Sequence, residues 1–278
     1  MIIIGEKING SIPSMAKAIA EKNEEHIKNI AVAQANAGAT FIDVCASVEP
    51  DKEVATLKWL IDLVQSVTDV PIAVDSPDPK VIAEALPFCK KPGLVNSISG
   101  DKVAGTDKDK IDFLLPIIAD TKWEVIALLN GGTGIPKSAE DRLKVFDLLM
   151  AKAKEYKIAP SRFHIDPIIE ALATIDEGGI GMVVEVMQEI KRREPTIHIT
   201  GAVSNISFNL PGRKLVNQAF AVLAMNAGLD SAIFDPLNKD LLGMIYATEA
   251  LLGNDEYCME YIQGFRQGLY PAAPPAKK

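Results

Sequence analysis

Cysteine and histidine are scarce in this chain of 278 residues, with three of each. Cys45, Cys89 and Cys258 are odd in number and lack the close spacing of zinc ligands, so they read as core or surface thiols. His26, His164 and His198 form no H-E-x-x-H and no close pair, and nothing in them points to a metal. Aromatic residues make up only 6% of the chain. Trp59 and Trp123 both fall where a helix or strand core explains them, so the platforms that sugar sites use are missing. Basic charge is also short: 29 Lys and Arg stand against 37 Asp and Glu, a net charge of −8, the wrong sign for a nucleic-acid partner. No apolar stretch approaches the roughly 20 residues of a membrane span. The opening MIIIGEKING lacks the basic region of a secretory signal, and the chain is expected in the cytoplasm. No G-x-G-x-x-G follows a strand-like run, and NGGTGIPK (130–137) misses the phosphate-loop pattern.

What the chain has is alternation. Short apolar runs at 2–5, 41–46, 71–76, 94–99, 125–130, 163–167, 198–205 and 231–236 read as strands. Helix-period segments lie between them. The one at 24–38 finishes on Gly38, and the one at 213–228 finishes on Gly228. The segment at 138–157 opens with Ser138 and an acid three residues on, a capping box. Eight strand–helix pairs in about 250 residues, with no linker, predict a single-domain (β/α)8 barrel over 1–265. An open doubly wound sheet is the alternative. The segment 256–265 reads as an added C-terminal helix, and the Pro/Ala-rich end, taken as 266–278, is expected to be a disordered tail.

Each apolar run ends on a polar residue. Glu6 and Asn9, Asp43, Asp75, Asn96, Asn130, Asp166, Ser204 with Asn205, and Asp235 stand within the runs or just after them. In a barrel those positions converge on the C-terminal mouth, where active sites on this fold lie. A helix cap or a turn explains any one of them, and Asn130 and Asp235 are as readily explained that way as by function. It does not explain the same chemistry at the ends of four strands, at Asp75, Asn96, Asp166 and Asn205. The set is carboxylates and carboxamides, with no lysine for a Schiff base and no histidine pair for a metal. An ionised Asp accepts two parallel bonds, and Asn both donates and accepts. The fitting ligand is a planar edge with several N–H donors, such as a 2-amino-4-oxo fused heterocycle. Arg213 either reaches an anionic tail at the mouth or is a surface residue starting the next helix.

IIIGEKING, VDS (74–76), VNSISG (95–100), HIDP (164–167) and VSNISFNLPGR (203–213) occur in an order and spacing that resemble the pterin-binding methyltransferases. Within that family the similarity is greatest to the methyltetrahydrofolate:corrinoid protein methyltransferases, and it runs from about residue 2 to 265. The resemblance implies a barrel holding the pterin of tetrahydrofolate in its mouth. It also implies methyl transfer between N5 of the folate and the cobalt of a separate corrinoid protein, in a direction the sequence leaves open. Carried over, Asp75, Asn96 and Asp166 correspond to pterin-edge residues, and Asn205 to the residue near N5. Glu6, Asn9 and Asp43 line the same floor, Ala202 and Ser204 touch the pterin, and Arg213 corresponds to an arginine near the substrate. Two departures stand out: Ala202 where the family often has glycine, and Phe208 where it often has glutamine.

A methyl-bearing N5 leaves well only as a neutral amine, so a proton must reach it. Asn205 is no acid, and the resemblance implies a network in which it bonds N5 or a water while Asp75 and Asp166 supply negative potential. The corrinoid-binding signature D-x-H-x-x-G is missing, so the corrinoid is expected to come with a transient partner protein rather than as a tightly bound group. No metal of its own, no nucleic-acid partner and no membrane are expected. A homodimer is implied by the resemblance alone. The rivals are a noncatalytic folate-binding or corrinoid-docking subunit and a dihydropteroate synthase-like enzyme. The latter needs an S-x-R-H signature at strand eight, where this chain reads AIFDPLNKD.

Overall fold

The computed structural model describes residues 1–175 and 178–271. Eight strands, β1 (Ile2–Asn9), β2 (Phe41–Cys45), β3 (Ile72–Asp75), β4 (Leu94–Ile98), β5 (Glu124–Leu128), β6 (Phe163–Asp166), β7 (His198–Ile199) and β8 (Ser231–Phe234), pair in parallel in the order β7-β6-β5-β4-β3-β2-β1-β8. The remaining seam, β7 to β8, is joined by the Ala202–Ile233 bridge and by the Ile233 amide donating to the Gly201 carbonyl at 3.0 Å. The expected single-domain (β/α)8 barrel is therefore the observed fold. Its helices are α1 (Pro13–Ala20), α2 (Glu24–Asn36), α3 (Pro50–Gln65), α4 (Pro79–Ala85), α5 (Lys110–Ile118), α6 (Ala139–Glu155), α7 (Gly181–Arg193), α8 (Arg213–Asn226), α9 (Lys239–Leu251) and α10 (Met259–Arg266). Among the described residues no helix is long and apolar enough to cross a membrane.

The helix signals work as their chemistry dictates. Ser138 accepts from the Asp141 amide at the start of α6, and Gly38 (φ 89°) and Gly228 (φ 111°) turn the chain after α2 and α8. Strand period 2 then divides the core. Ile42, Val44, Ile72, Val74, Val95, Val125, Phe163 and Ile165 face the helices in one large cluster. Ile4, Phe41, Ala73, Leu94 and Ile126 meet inside the barrel, with Ile2, Leu128 and Ile233 against them. The next inward positions along the strands are polar. Above the apolar layer stand Asp43, Asp75, Asn96 and Asp166, and below it Glu124, His164, His198 and Ser231.

The C-terminal boundary differs from the expectation. Tyr270 is buried, its ring lies 5.4 Å from that of Tyr261 and 5.5 Å from that of Tyr246, and its hydroxyl donates to the Tyr261 carbonyl. The apolar ring of Tyr270 gives residues 267–271 a reason to pack that the Pro/Ala composition hides. Residues 272–278 of the expected tail lie outside the described residues.

Candidate active site

Three strands bring the acceptor cluster together. Parallel register sets Cys45 beside Asp75 and Asp75 beside Asn96. The Asn96 carboxamide reaches across to donate to Asp43 Oδ1 at 3.0 Å. Asp43 is only 2% exposed. Burial holds its carboxyl well above the ordinary range, the charge of Asp75 pushes it the same way, and the bond from Asn96 opposes both. Burial likewise lifts Asp75 to about 6, against the thiol of Cys45, which bonds it, and with help from the charge of Glu53. Cys45, pushed to about 12 by burial and by Asp75, stays a thiol and so stays a donor.

Glu6 completes this corner through a local irregularity. The β1–β2 register shifts between Gly5 and Ile8, a bulge that re-aims the residues it contains. Gln34 of α2 enters the gap and accepts from the Lys7 amide at 3.0 Å. A Cβ on Gly5 would stand 2.5 Å from that Gln34 oxygen, so a side chain there would push the carboxamide off the Lys7 amide. The bulge delivers both Glu6 and Lys7 to the rim. Lys7 pairs with Asp235 at 3.2 Å. The Glu6 carboxyl is raised, first by burial and then by Asp235, with Lys7 and Arg213 acting against them. The sequence reading allowed no lysine at the mouth, and Lys7 corrects it. Strict alternation sends Glu6 and Lys7 to opposite faces, and only the bulge changes that.

Asp166 stands apart, on β6. Its Oδ1 accepts from the Ile168 amide at 2.7 Å, and burial raises its carboxyl to about 6 against that bond and the charge of Arg142. Ile168 sits at φ 65°, an outlier for a β-branched residue. The loop it belongs to packs on the end of β7, where a Cβ on Gly201 would meet Ile169 Cδ1 at 2.2 Å.

The turn after β7 (Val203–Ser207) carries Ser204 and Asn205. Its backbone closes by the Asn205 amide donating to Ala202 at 3.1 Å and the Phe208 amide to Asn205 at 3.2 Å. Arg213, first in α8, is exposed, and its guanidinium braces this turn, donating to Ser207 Oγ at 3.0 Å and to the Ser204 carbonyl at 2.9 Å. It also lies 4.8 Å from the centre of the Phe208 ring, a cation–π contact at the rim, where Phe208 is 47% exposed.

Not every candidate joins the inner cluster. Asn9 turns its oxygen to the Ser11 amide at 2.8 Å and builds the turn after β1. Asn130 accepts from the Gly132 amide and donates to Asp101, and Asp235 accepts from the Leu237 amide; both make turns. Glu53, Cys45 and Arg142 were not anticipated. Glu53 is an acid in the first turn of α3, a position that reads as helix electrostatics, yet it is buried and accepts from Ser76 Oγ at 2.6 Å. Among the described residues no group of three or more His, Cys, Asp and Glu side chains is placed to hold a metal ion. A separate cavity of about 310 Å³, lined by Met1, Ile3, Gly38, Tyr246 and Glu249, lies under the N-terminal end of β1, away from this cluster.

Taken together, the mouth presents buried or half-buried acceptors with few donors, an arrangement that suits an N–H-rich planar edge. A model of pterin binding enzymes matches residues 7–235. The chain is 47% identical over 270 residues to a protein of Eubacterium limosum named methylcorrinoid:tetrahydrofolate methyltransferase, covering 96% of this chain and 97% of that one. It is 28% identical to methionine synthase of Mycobacterium leprae over 84% of this chain but only 20% of that longer protein. Among solved structures, Yersinia pestis dihydropteroate synthase with a pterine-sulfa conjugate superposes with a TM-score of 0.64 at 18% identity, covering 91% of this chain and 94% of that one. Xanthomonas albilineans dihydropteroate synthase with 7,8-dihydropteroate gives 0.65 at 17%, covering 92% and 94%. These two likenesses concern the fold. With the family model spanning most of the barrel and a relative matched almost end to end, the chain belongs to the pterin binding enzyme family.

Proposed function

We propose that this protein is a methyltransferase that moves a methyl group from a methylated corrinoid protein to N5 of tetrahydrofolate. The observation that carries this reading is the 47% identity, over 96% of the chain, to a relative whose name states that reaction. The mouth supports it: Asp43, Asp75 and Asn96 offer acceptors for the pterin amino and ring N–H groups, with Asp166 on the opposite wall and Glu6 at the rim. A carboxylate gaining a bidentate partner makes charge-assisted bonds roughly twice as strong as neutral ones.

In this mechanism the N5 lone pair attacks the methyl carbon of the substrate methylcorrinoid. The new N–C bond forms as the Co–C bond breaks, and the pair from that bond stays on cobalt, taking it from Co(III) to Co(I). N5 then carries one proton too many. The Asn205 amide oxygen bonds the growing N5–H, which a water relays to the nearby carboxylates; Asp166, raised to about 6, is able to hold a proton and return it to solvent. Arg213 keeps the Asn205 turn in place by its two bonds. The corrinoid arrives on a transient partner and is not tightly held here. The reading extends to a cytoplasmic homodimer, for which the exposed Leu215, Leu223, Leu251, Tyr257 and Met259 offer apolar surface.

The test is a single turnover of the protein with tetrahydrofolate and methylcob(III)alamin, followed by the cobalt absorbance. Conversion to Co(I) with formation of methyltetrahydrofolate is expected. Asn205→Ala is expected to slow it by about 10–100-fold, the loss of one charge-assisted bond. Tight folate binding without turnover would leave a binding subunit, and no folate binding at all would overturn the reading.

A further inference from the structure

Arg142 is fully buried, yet none of its side-chain bonds serves its own helix. From α6 the guanidinium donates to the Pro136 carbonyl at 3.1 Å, to the carbonyls of Pro167 and Ile168 (the latter at 2.7 Å), and to Glu170 Oε2 at 2.6 Å. All four partners belong to two loops at the mouth, those following β5 and β6. Ile168, whose carbonyl Arg142 holds, is the residue at φ 65°, and its amide is the one bonded to Asp166 Oδ1 at 2.7 Å. Among the described residues Ile168 is the only partner of the Asp166 carboxylate, so the orientation of Asp166 depends on a backbone conformation that isoleucine does not favour.

We propose that Arg142 is a positioning residue for Asp166: its fork of hydrogen bonds locks Ile168 in the left-handed region, and the Ile168 amide in turn fixes the Asp166 carboxylate toward the pterin. This rests on the folate reading above. The geometry of the fork matters as much as the charge. A planar guanidinium spans several carbonyls at once, and a lysine ammonium on a shorter reach does not. Released, Ile168 relaxes to negative φ, its amide swings off Asp166, and the carboxylate loses its anchor while the barrel behind it is unchanged. The Ile169 side chain, pressed on Gly201, ties the same loop to the strand that leads to Asn205, so the lock fixes the distance between two walls of the mouth.

The experiment measures tetrahydrofolate Kd by calorimetry and urea midpoints for the full chain and for Arg142→Lys, Ile168→Gly and the double variant. Arg142→Lys is expected to weaken folate binding about tenfold or more. Ile168→Gly alone is expected near the parent Kd, because glycine takes positive φ freely. In the double variant most of the affinity is expected to return, since the residue no longer has to be held, and a merely structural role for Arg142 predicts no such rescue. Glu170→Gln, which loosens the fork from the loop side, serves if Arg142→Lys does not fold; a smaller loss, also rescued by Ile168→Gly, is expected. A parent-like Kd in the folded Arg142 and Glu170 variants, or no rescue, overturns the lock. Failure of the unsubstituted protein to bind tetrahydrofolate overturns the folate reading, and the lock with it.

Discussion

The barrel carries two inward-facing polar layers, one at each end, and they differ in whether donors match acceptors. At the N-terminal end, His164 is fully buried, with Nε2 2.8 Å from Glu124 Oε2 and Nδ1 2.9 Å from Ser231 Oγ. His198 stacks on it at 4.8 Å and shares Asp230 with Lys191. Burial holds the His164 imidazole below its usual range, with Glu124 opposing and His198 assisting, so the ring is neutral and each nitrogen has its partner. At the C-terminal end Asp43, Asp75 and Glu6 cluster on one side and Asp166 stands on the other. Among the described residues the donors they meet are few: Asn96, the Cys45 thiol and the Ile168 amide, with Lys7 paired to Asp235 at the rim. A buried network with its bonds made is a structural plug. One left rich in acceptors is a site for a ligand that brings the donors.

The two layers are therefore expected to respond oppositely to substitution. The largest effect is expected for Asp75→Asn, which keeps the shape but turns half of the acceptor edge into a donor. Tetrahydrofolate affinity is expected to fall by about 3 kcal/mol, roughly a hundredfold. The urea midpoint is expected to stay or rise, because like-charge repulsion from Asp43 and Glu53 is relieved. Affinity within a factor of about three would remove Asp75 from the site. His164→Asn should do the reverse. Loss of the ring leaves Glu124 and Ser231 without their partner and costs about 2 kcal/mol of stability, with folate Kd unchanged. A weakened Kd in a stable His164 variant would show that the floor communicates with the mouth. A third measurement sharpens the contrast. With Asp75 and Asp166 both raised to about 6, folate affinity is expected to fall about tenfold per pH unit for each carboxylate that must ionise below that pH. Calorimetry from pH 5 to 8 reads this directly, and a flat profile contradicts it.

Much of this was legible in the sequence, because alternation is a short-range rule. Strand runs of period 2 ending on Asp75, Asn96 and Asp166 fix which way those side chains point once the barrel closes, and the capping box at Ser138 and the glycines at 38 and 228 mark their helix ends. The turn-forming alternatives for Asn130 and Asp235 were visible too, and they are what the structure has. What escaped depends on contacts distant in sequence or on broken regularity. Lys7 reaches the rim only through a bulge seated on Gln34. Arg142 looks like one more charged residue of an amphipathic helix until the loop leading into that helix and the loop of the next unit close over it. His164 and His198, read separately, form no motif, and only barrel register stacks them. Tyr270 was hidden by the composition around it.

The smallest effect separates the layers by pH in the ligand-free protein. Asp75 has a folded pKa of about 6 against an ordinary 3.8, so the folded state binds its proton more tightly. The stabilisation this gives is present below pH 4 and is lost as pH rises through 6. His164 is depressed instead, so its contribution is present above its ordinary 6.5 and declines as pH falls below it. The Tm of the unsubstituted protein minus that of Asp75→Asn should therefore grow on acidification from pH 7 to 5. The same difference taken with His164→Asn should shrink, each change being about 2–4 °C per kcal/mol. Scanning calorimetry of the three proteins at pH 5, 6 and 7 gives both slopes. Slopes of the same sign would mean that the two layers titrate as one field through the barrel, and that Asp75 is held by the fold rather than kept for a ligand.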